Sequence, residues 1–145
     1  MVEADKQTQY EELMRRMNDP ERFMGRNSIE LIEIGERWAK SRMENIKATQ
    51  NPLGGLHGGA LSTLADVTAA ASLTSLGWRA RVTLNNTMNY LRPACPGPVY
   101  CEAHVRKAGK TVAISESTIV DAEGAEVATG TFTFYFTGGE PKFAD

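Results

Sequence analysis

A single carboxylate stands in a long apolar stretch of this sequence. Residues 58–78 (GGALSTLADVTAAASLTSLGW) contain one ionisable side chain, that of Asp66. Burying a carboxylate is unfavourable unless a partner stabilises its charge or its pKa rises. An isolated acid in such surroundings is typical of a group held for proton transfer or for nucleophilic attack on a carbonyl carbon. Asp66 is therefore the first candidate for a catalytic residue.

A glycine-rich segment precedes the apolar stretch. Residues 50–59 (QNPLGGLHGG) contain one proline and four glycines, so the sequence predicts a shaped loop there and no continuous helix. The first backbone N–H groups of a helix are unpaired and carry the positive end of its dipole. Gly58 and Gly59 stand where this loop would enter a helix, and they are candidates to stabilise negative charge on a carbonyl oxygen.

The apolar stretch itself predicts one long helix over residues 59–76, ended by Gly77. Its apolar side chains occur around the whole circumference, which predicts burial on all sides. A membrane span is excluded, because seven polar residues interrupt the stretch: Ser62, Thr63, Asp66, Thr68, Ser72, Thr74 and Ser75.

The rest of the chain reads as strands that surround this helix. One long strand is predicted over 28–43, with a bulge near Ile32, and four more over 81–91, 99–107, 111–121 and 125–137. Short turn-forming links make the last three strands an antiparallel meander. Two peripheral helices are predicted before them, over 10–17 and 20–24, the second with Asp19 as N-cap and Pro20 as its first residue. The expected fold class is α+β, an antiparallel sheet wrapped around one central helix.

Composition narrows the functional classes. The chain has 145 residues, with 16 basic and 18 acidic side chains and a formal charge of −2, so nucleic acid is not an expected partner. Charges near the N-terminus interrupt any signal-peptide core, which predicts a cytoplasmic location and no membrane partner. Cys95 and Cys101 are expected to be reduced and structural. With two histidines elsewhere, they form no convergent metal site.

Asn51, the triplet His57-Gly58-Gly59 and Asp66 occur in an order that resembles hotdog-fold acyl-CoA thioesterases. The branch is similar to phenylacetyl-CoA and human-type acyl-CoA thioesterases, within the 4-hydroxybenzoyl-CoA thioesterase superfamily. Its pattern places the acid nine residues after the histidine, as here. The resemblance covers about residues 28–136, including VTLNNTMNYLRPA and the later KAGK turn. It implies a single hotdog domain over 1–145, with peripheral helices within 1–26.

The resemblance also implies roles for the site residues. The Gly58 N–H would polarise a thioester carbonyl, and Asp66 would act as general base on water or as nucleophile; the sequence does not choose between these two. Asn51 would hold the water or the thioester, unless it only caps the turn before Pro52. His57 would shape the turn. Thr83 aligns with a residue that assists the acid in some relatives, although a strand threonine is commonly just a β-former.

Helix geometry bears on the assembly. Asp66 lies eight residues beyond Gly58, roughly 12 Å along a helix at about 1.5 Å per residue. A base and a carbonyl-polarising donor must both come within roughly 3 Å of one reacting group. One chain cannot satisfy both requirements, whereas a two-fold partner with an antiparallel helix can. The sequence therefore predicts a homodimer, or a dimer of such dimers, with each site shared between subunits.

Other residues are candidates for binding the acyl-CoA substrate. Leu56, Met88 and Tyr90 could line an acyl pocket, with plain core packing as the alternative. Four cations could contact the coenzyme A phosphates or could simply be solvated: Arg92, Arg106, Lys107 and Lys110. No metal or redox cofactor is expected, and coenzyme A enters only as part of the substrate. The acyl group is left open among phenylacetyl, benzoyl-type and short- or medium-chain groups.

Two other functional classes compete with the hydrolase. Hotdog hydratases and dehydratases usually have a catalytic histidine and a more distant acid, and the spacing here disagrees with that layout. A non-catalytic acyl-CoA sensor is the other alternative. Asp66 and Asn51 argue against it, because a binding module needs neither.

Overall fold

The computed structural model describes residues 3–145, and its six strands form one antiparallel sheet in the order β1-β2-β4-β5-β6-β3. The helices are α1 (Glu3–Met17), α2 (Phe23–Arg26) and α3 (Gly58–Ser72), and the strands are β1 (Ile29–Gly35), β2 (Trp38–Met43), β3 (Arg81–Tyr90), β4 (Val99–Ala108), β5 (Val112–Val120) and β6 (Glu126–Phe136). The predicted architecture, a sheet wrapped around one long helix, is confirmed. The predicted meander is confirmed as β4-β5-β6.

Helix α3 lies against one face of the sheet because that face is apolar. In β4 the alternate residues Val99, Cys101 and Ala103 are fully buried, as the period-two pattern of a strand requires. The buried polar side chains of the helix have partners. Ser72 Oγ lies 2.7 Å from Ser115 Oγ, and Ser117 Oγ donates to the Ala65 carbonyl at 2.8 Å. Paired hydroxyls explain how a serine- and threonine-rich helix occupies the core.

The prediction of one strand over 28–43 is wrong, because the chain reverses in the middle of this segment. Strands β1 and β2 form an antiparallel hairpin, and the turn between them holds Arg37 at a φ of 63°. The Arg37 N–H donates to Ser75 Oγ at 2.7 Å, and its carbonyl accepts from the Val105 N–H at 2.9 Å. These contacts with distant segments stabilise a turn that the local sequence does not announce. The predicted bulge near Ile32 is confirmed by a register shift between Leu31 and Glu33.

The N-terminal region differs from the prediction in both helices. Helix α1 is longer than predicted and begins at Glu3. The predicted helix over 20–24 is wrong: α2 has one turn only, and its N-cap is Arg22. Asp19 closes the preceding turn instead, because its Oδ1 accepts the Glu21 N–H at 2.9 Å. Tyr10, Leu13 and Met24 are buried in the core. The assignment of residues 1–145 to one domain stays a prediction.

The central α-helix ends at Ser72, four residues earlier than predicted, and one of its faces is not covered. After α3 a short 3₁₀ turn (Thr74–Leu76) leads to Gly77, whose φ of 131° favours glycine. The face that carries Asp66, Val67 and Ala70 is only half-buried, so the prediction of burial on all sides is wrong for the single chain. Strand β3 at the sheet edge is also exposed, with Val82 at 49% and Leu84 at 55% of full exposure.

Several expected features can be checked against the part of the chain that the structure describes. No helix there has the length and apolar character needed to span a bilayer. The same residues contain no group of histidine, cysteine and acidic side chains that could hold a metal ion. Both cysteines are free, as predicted. Burial raises the pKa of the Cys101 thiol to about 12, so it stays protonated at neutral pH.

Candidate active site

Asn51 organises the glycine-rich loop before α3. Its Oδ1 accepts the N–H groups of Leu53 at 2.9 Å and Gly55 at 3.3 Å, and its own N–H donates to the Gly55 carbonyl at 2.8 Å. The side-chain oxygen of Asn51 therefore caps the loop, which is one of the two roles that the sequence allowed. Within residues 3–145, its Nδ2 has no hydrogen-bond acceptor. This nitrogen is free to donate to a bound molecule.

His57 is the N-cap of α3, and it separates the roles of the two glycines. Its Nδ1 accepts the Gly59 N–H at 2.8 Å, so the ring proton must be on Nε2. The Gly59 N–H is thus already engaged within the chain, and a role of Gly59 in polarising a substrate carbonyl stays a prediction. The Gly58 N–H has no acceptor among the described residues. Gly58 therefore offers the free donor at the positive end of the helix dipole.

The loop cavity, of about 460 Å³, opens beside Gly58. It brings together five residues that the sequence proposed for the site: Asn51, Leu56, Gly58, Tyr90 and Arg92. A Cβ at Gly58 would lie 3.6 Å from the Tyr90 ring, which shows how closely the helix start approaches the end of β3. The cavity has apolar walls with the cation of the exposed Arg92 at its edge.

Some residues of the cavity wall were not predicted from the sequence. Leu61 lines it one helical turn after Gly58, and so does the segment that follows β3: Leu91, Pro93 and Ala94. The i to i+3 spacing of Gly58 and Leu61 could have indicated the helix residue. The segment after β3 carries no local signal, because its position depends on the pairing of β3 with β6.

Asp66 and Thr83 form a second cluster on α3 and β3. Thr83 Oγ1 donates to Asp66 Oδ1 at 2.8 Å, so the structure joins the two residues as the family pattern implied. A bulge in β3 directly after Thr83 re-aims the strand at this point. Burial raises the pKa of the Asp66 carboxyl, and the Thr83 hydrogen bond lowers it by a smaller amount. No basic side chain of residues 3–145 pairs with this acid.

The loop cavity and the acid stay apart within one chain. Gly58 and Asp66 are both in α3, separated by eight residues, which corresponds to roughly 12 Å along the axis at about 1.5 Å per residue. Asp66 does not line the loop cavity. The free N–H and the acid are the two parts of one reaction centre only if another chain supplies one of them.

The remaining predicted binding residues lie elsewhere in the chain. Met88 packs against Gly130 of β6 and does not line the loop cavity, so the core alternative describes it. Lys107 and Lys110 are exposed near the β4–β5 turn. That turn adjoins the Arg81 end of β3, opposite to Tyr90, because Arg81 pairs with Phe136 and the Phe136 N–H bonds to Thr111. Arg106 pairs with Glu116 at 3.2 Å.

The model of the thioesterase superfamily matches residues 53–128, more than half of the chain, and this range includes Gly58, Asp66 and Thr83. The chain belongs to the thioesterase superfamily. The predicted enzyme class, a hydrolase of thioesters, is thereby confirmed. No curated protein sequence matches the chain significantly.

Solved structures of other proteins match this structure over most of its length. A conserved protein from Pseudomonas aeruginosa is 30% identical, covers 84% of this chain and 97% of its own, and superposes with a TM-score of 0.78. The PaaI protein of the Escherichia coli phenylacetic acid degradation operon is 27% identical, with coverages of 96% and 99% and a TM-score of 0.82. A hypothetical thioesterase with coenzyme A from Streptococcus pneumoniae is 25% identical, with coverages of 78% and 91% and a TM-score of 0.72. The hotdog fold is confirmed.

Proposed function

We propose that this thioesterase hydrolyses acyl-CoA at a site shared between two subunits, with the Gly58 N–H of one chain and Asp66 of its partner acting on the same carbonyl. The observation that carries this proposal is the division of α3 between a free N–H at its first residue and an acid eight residues later. Among residues 3–145, the Gly58 N–H has no acceptor, and Asp66 does not line the cavity beside Gly58. Each is what a thioester hydrolase needs at the carbonyl.

The chemistry follows from these groups. The Gly58 N–H polarises the carbonyl oxygen and stabilises the negative charge that develops on it. Asp66 either removes a proton from a water that attacks the carbonyl carbon, or attacks that carbon itself to give a mixed anhydride that water then hydrolyses. In both routes the C–S bond breaks, and the thiolate of coenzyme A leaves and takes up a proton. Asn51, through its free Nδ2, orients the water or the thioester.

The assembly rests on the surfaces that one chain leaves uncovered. Strand β3 is ten residues long and has an unpaired edge, next to the half-buried face of α3. Pairing of two β3 strands about a two-fold axis sets the two α3 helices antiparallel. Asp66 of each subunit then approaches Gly58 of its partner. The same strand pairing removes Val82 and Leu84 from water, which favours association. A dimer, alone or doubled into a tetramer, follows.

The substrate class follows from the loop cavity and from the relatives. Its volume of about 460 Å³ and the apolar surface of Leu56, Leu61 and Tyr90 suit a phenylacetyl-type or a short- or medium-chain acyl group. One solved relative contains coenzyme A, and another comes from a phenylacetic acid degradation operon. Arg92, at the edge of the cavity, is placed for a phosphate of coenzyme A. Lys107 and Lys110 would reach such a phosphate only from another subunit. The cytoplasmic location stays a prediction.

The hydratase alternative fits the geometry less well. It requires a histidine that exchanges protons with the substrate, whereas His57 Nδ1 is committed to capping α3. The sensor alternative differs from the hydrolase in one measurable respect, the release of thiol. These two outcomes define the test.

The test is thiol release from phenylacetyl-CoA, benzoyl-CoA and hexanoyl-CoA, measured in the presence of a metal chelator. We expect hydrolysis of at least one of them, unaffected by the chelator, because the proposed groups are a carboxylate and a backbone N–H. Tight binding of these acyl-CoAs without thiol release would establish a binding module and contradict the proposal.

The hydrogen bond from Thr83 gives a prediction about pH. Hydrolysis requires ionised Asp66, so activity is lost as pH falls through the pKa of this group, which burial raises above the ordinary value of 3.8. Thr83→Val removes the bond that lowers this pKa, and we expect the acidic limb of the kcat profile to move to higher pH. Thr83→Ser keeps a hydroxyl and should keep the limb in place. A limb that stays fixed in Thr83→Val would show that this bond does not tune the acid.

A further inference from the structure

A second cavity, the cationic cavity, lies beside the first residue of β3. It has a volume of about 310 Å³. Three cations line it, Arg79, Arg81 and Lys142, and no acidic side chain of the described residues does so. Its apolar wall comes from α1 and from the segment after β6, through Leu13, Met17 and Phe143. A cavity with one sign of charge and an apolar wall is unlike the mixed surface of most proteins.

Arg81 is the half-buried cation of this cavity. Its Nε donates to the Ala70 carbonyl at 2.9 Å, its Nη1 to the Arg79 carbonyl at 3.0 Å and its Nη2 to Thr74 Oγ1 at 2.9 Å. All three acceptors are neutral. A guanidinium has five N–H donors, so two donors have no acceptor within residues 3–145. Burial lowers the pKa of Arg81 to about 10, so its guanidinium stays charged at neutral pH.

The helix end explains part of this arrangement. Ala70 and Thr74 lie near the C-terminal end of α3, where the helix dipole presents about half a negative charge. That partial charge holds the guanidinium in place, but it cannot balance a full positive charge that has Arg79 and Lys142 as neighbours. A partly buried cation that faces a cavity is a favourable site for an anion. No carboxylate of residues 3–145 forms an ion pair with Arg81, so an anion from outside would meet unoccupied N–H donors.

We propose that the cationic cavity binds a carboxylate carried on a short apolar body. The carboxylate accepts the free N–H groups of Arg81, and Lys142 adds its charge from the exposed side. The apolar body packs against Leu13, Met17 and Phe143. The volume of about 310 Å³ limits the ligand to a small molecule.

Two sources could present this chemistry, a free carboxylic acid or the far end of a dicarboxylic acyl group. Arg81 and Thr83 both reach α3 and are two residues apart on β3, about 7 Å along the strand. The cavity is therefore close to Asp66, which in the proposed dimer acts on the carbonyl held by Gly58 of the other subunit. A dicarboxylic acyl group would extend from that carbonyl toward the cationic cavity and not into the loop cavity. The coenzyme A phosphates already have Arg92 as their proposed contact, and Arg92 does not line this cavity. The dicarboxylic source rests on the proposed function, whereas the free-acid source does not.

The first arm of the test measures binding of free hexanoate and adipate by calorimetry, with hexanamide as the uncharged probe. We expect both carboxylates to bind and the amide not to bind. Lys142→Glu, at an exposed position, should weaken carboxylate binding about tenfold. Lys47→Glu makes the same change at an exposed lysine outside the cavity and should not weaken it. Arg81→Met should abolish binding, with circular dichroism as the check that the variant folds.

The second arm compares kcat/KM for adipoyl-CoA and hexanoyl-CoA, which have equal chain length. If the acyl group supplies the carboxylate, Arg81→Met and Lys142→Glu lower the adipoyl to hexanoyl ratio about tenfold. An unchanged ratio together with carboxylate binding in the first arm assigns the cavity to free acids. The proposal is overturned if no free carboxylate binds at millimolar concentration and the ratio is also unchanged. If neither thioester is hydrolysed, the proposed function fails, and the calorimetric arm alone decides the cavity.

Discussion

Asp66→Asn is expected to lower kcat for thioester hydrolysis by about 10²- to 10⁴-fold, because an amide can neither accept a proton from water nor attack a carbonyl carbon. The substitution keeps the size of the side chain, and the amide oxygen can still accept the Thr83 hydroxyl. Substrate binding should therefore change little. The measurement is thiol release at saturating acyl-CoA, with KM determined for both proteins.

The same substitution should leave the protein at least as stable as the parent at neutral pH. Burial raises the pKa of Asp66 in the folded chain, so the folded state prefers the protonated acid. The free energy of unfolding therefore falls as pH rises from the ordinary carboxyl pKa through the raised pKa of the folded state. Above that pH, the ionised carboxyl destabilises the folded state by a constant amount. Asparagine carries no charge and removes this destabilisation, so Tm at pH 7 should be equal to or higher than that of the parent.

The matched control for this variant is Asp19→Asn, the same change in a turn that lines neither the loop cavity nor the cationic cavity. It should leave kcat unchanged. A folded Asp66→Asn protein that hydrolyses acyl-CoA as fast as the parent would remove Asp66 from the mechanism. A large drop in its Tm would instead show that the acid has a structural partner.

Gly58→Pro is expected to lower kcat about 10²- to 10³-fold, the usual effect of deleting one donor to a developing oxyanion. Proline lacks the backbone N–H but suits the first position of a helix, and α3 begins at Gly58. The preceding His57 has φ −67° and ψ 131°, which is the extended conformation favoured before proline. The change therefore removes the donor while the helix start is kept.

Gly58→Ala is the control that separates the donor from the added side chain. Its Cβ would lie at an ordinary contact distance of 3.6 Å from the Tyr90 ring, and its N–H remains. We expect Gly58→Ala to retain much more activity than Gly58→Pro. Equal losses in the two variants would assign the effect to bulk in the loop cavity and would exclude the N–H as the carbonyl donor.

The two inactive variants together test whether the site is shared. When Asp66→Asn and Gly58→Pro chains are co-expressed in equal amounts, half of the dimers are mixed and each mixed dimer has one intact site of two. We expect about a quarter of the parent activity to return. If each chain used its own Gly58 and Asp66, mixing would restore nothing.

Much of the fold could be predicted because its signals are local. The glycines before α3, the apolar run of the helix and the alternation in β4 each specify an element within a few residues. The β1–β2 hairpin was not predicted, because the turn residue with a positive φ is Arg37, whereas glycine or asparagine usually occupies such a position. Ser75, 38 residues away, stabilises that turn instead. A sequence cannot show such a contact before the fold is known.

The candidate site divides in the same way. The spacing of Gly58 and Asp66 was readable, because both lie in one helix with a fixed rise per residue. The engagement of the Gly59 N–H by His57 was not, since it depends on a side-chain rotamer. Arg81 appeared only as the start of a strand. Its burial depends on acceptors at Ala70 and Thr74 that only the packing of α3 against β3 brings near.

The unpaired edge of β3 affects the resistance of an isolated subunit to aggregation. A ten-residue strand with unpaired N–H and carbonyl groups, and with Val82 and Leu84 open to water, is a template for pairing with any other exposed strand. The charged and proline residues that commonly block such pairing are absent between Val82 and Tyr90. An isolated subunit is therefore expected to aggregate through this edge, and the dimer that we propose would cover it.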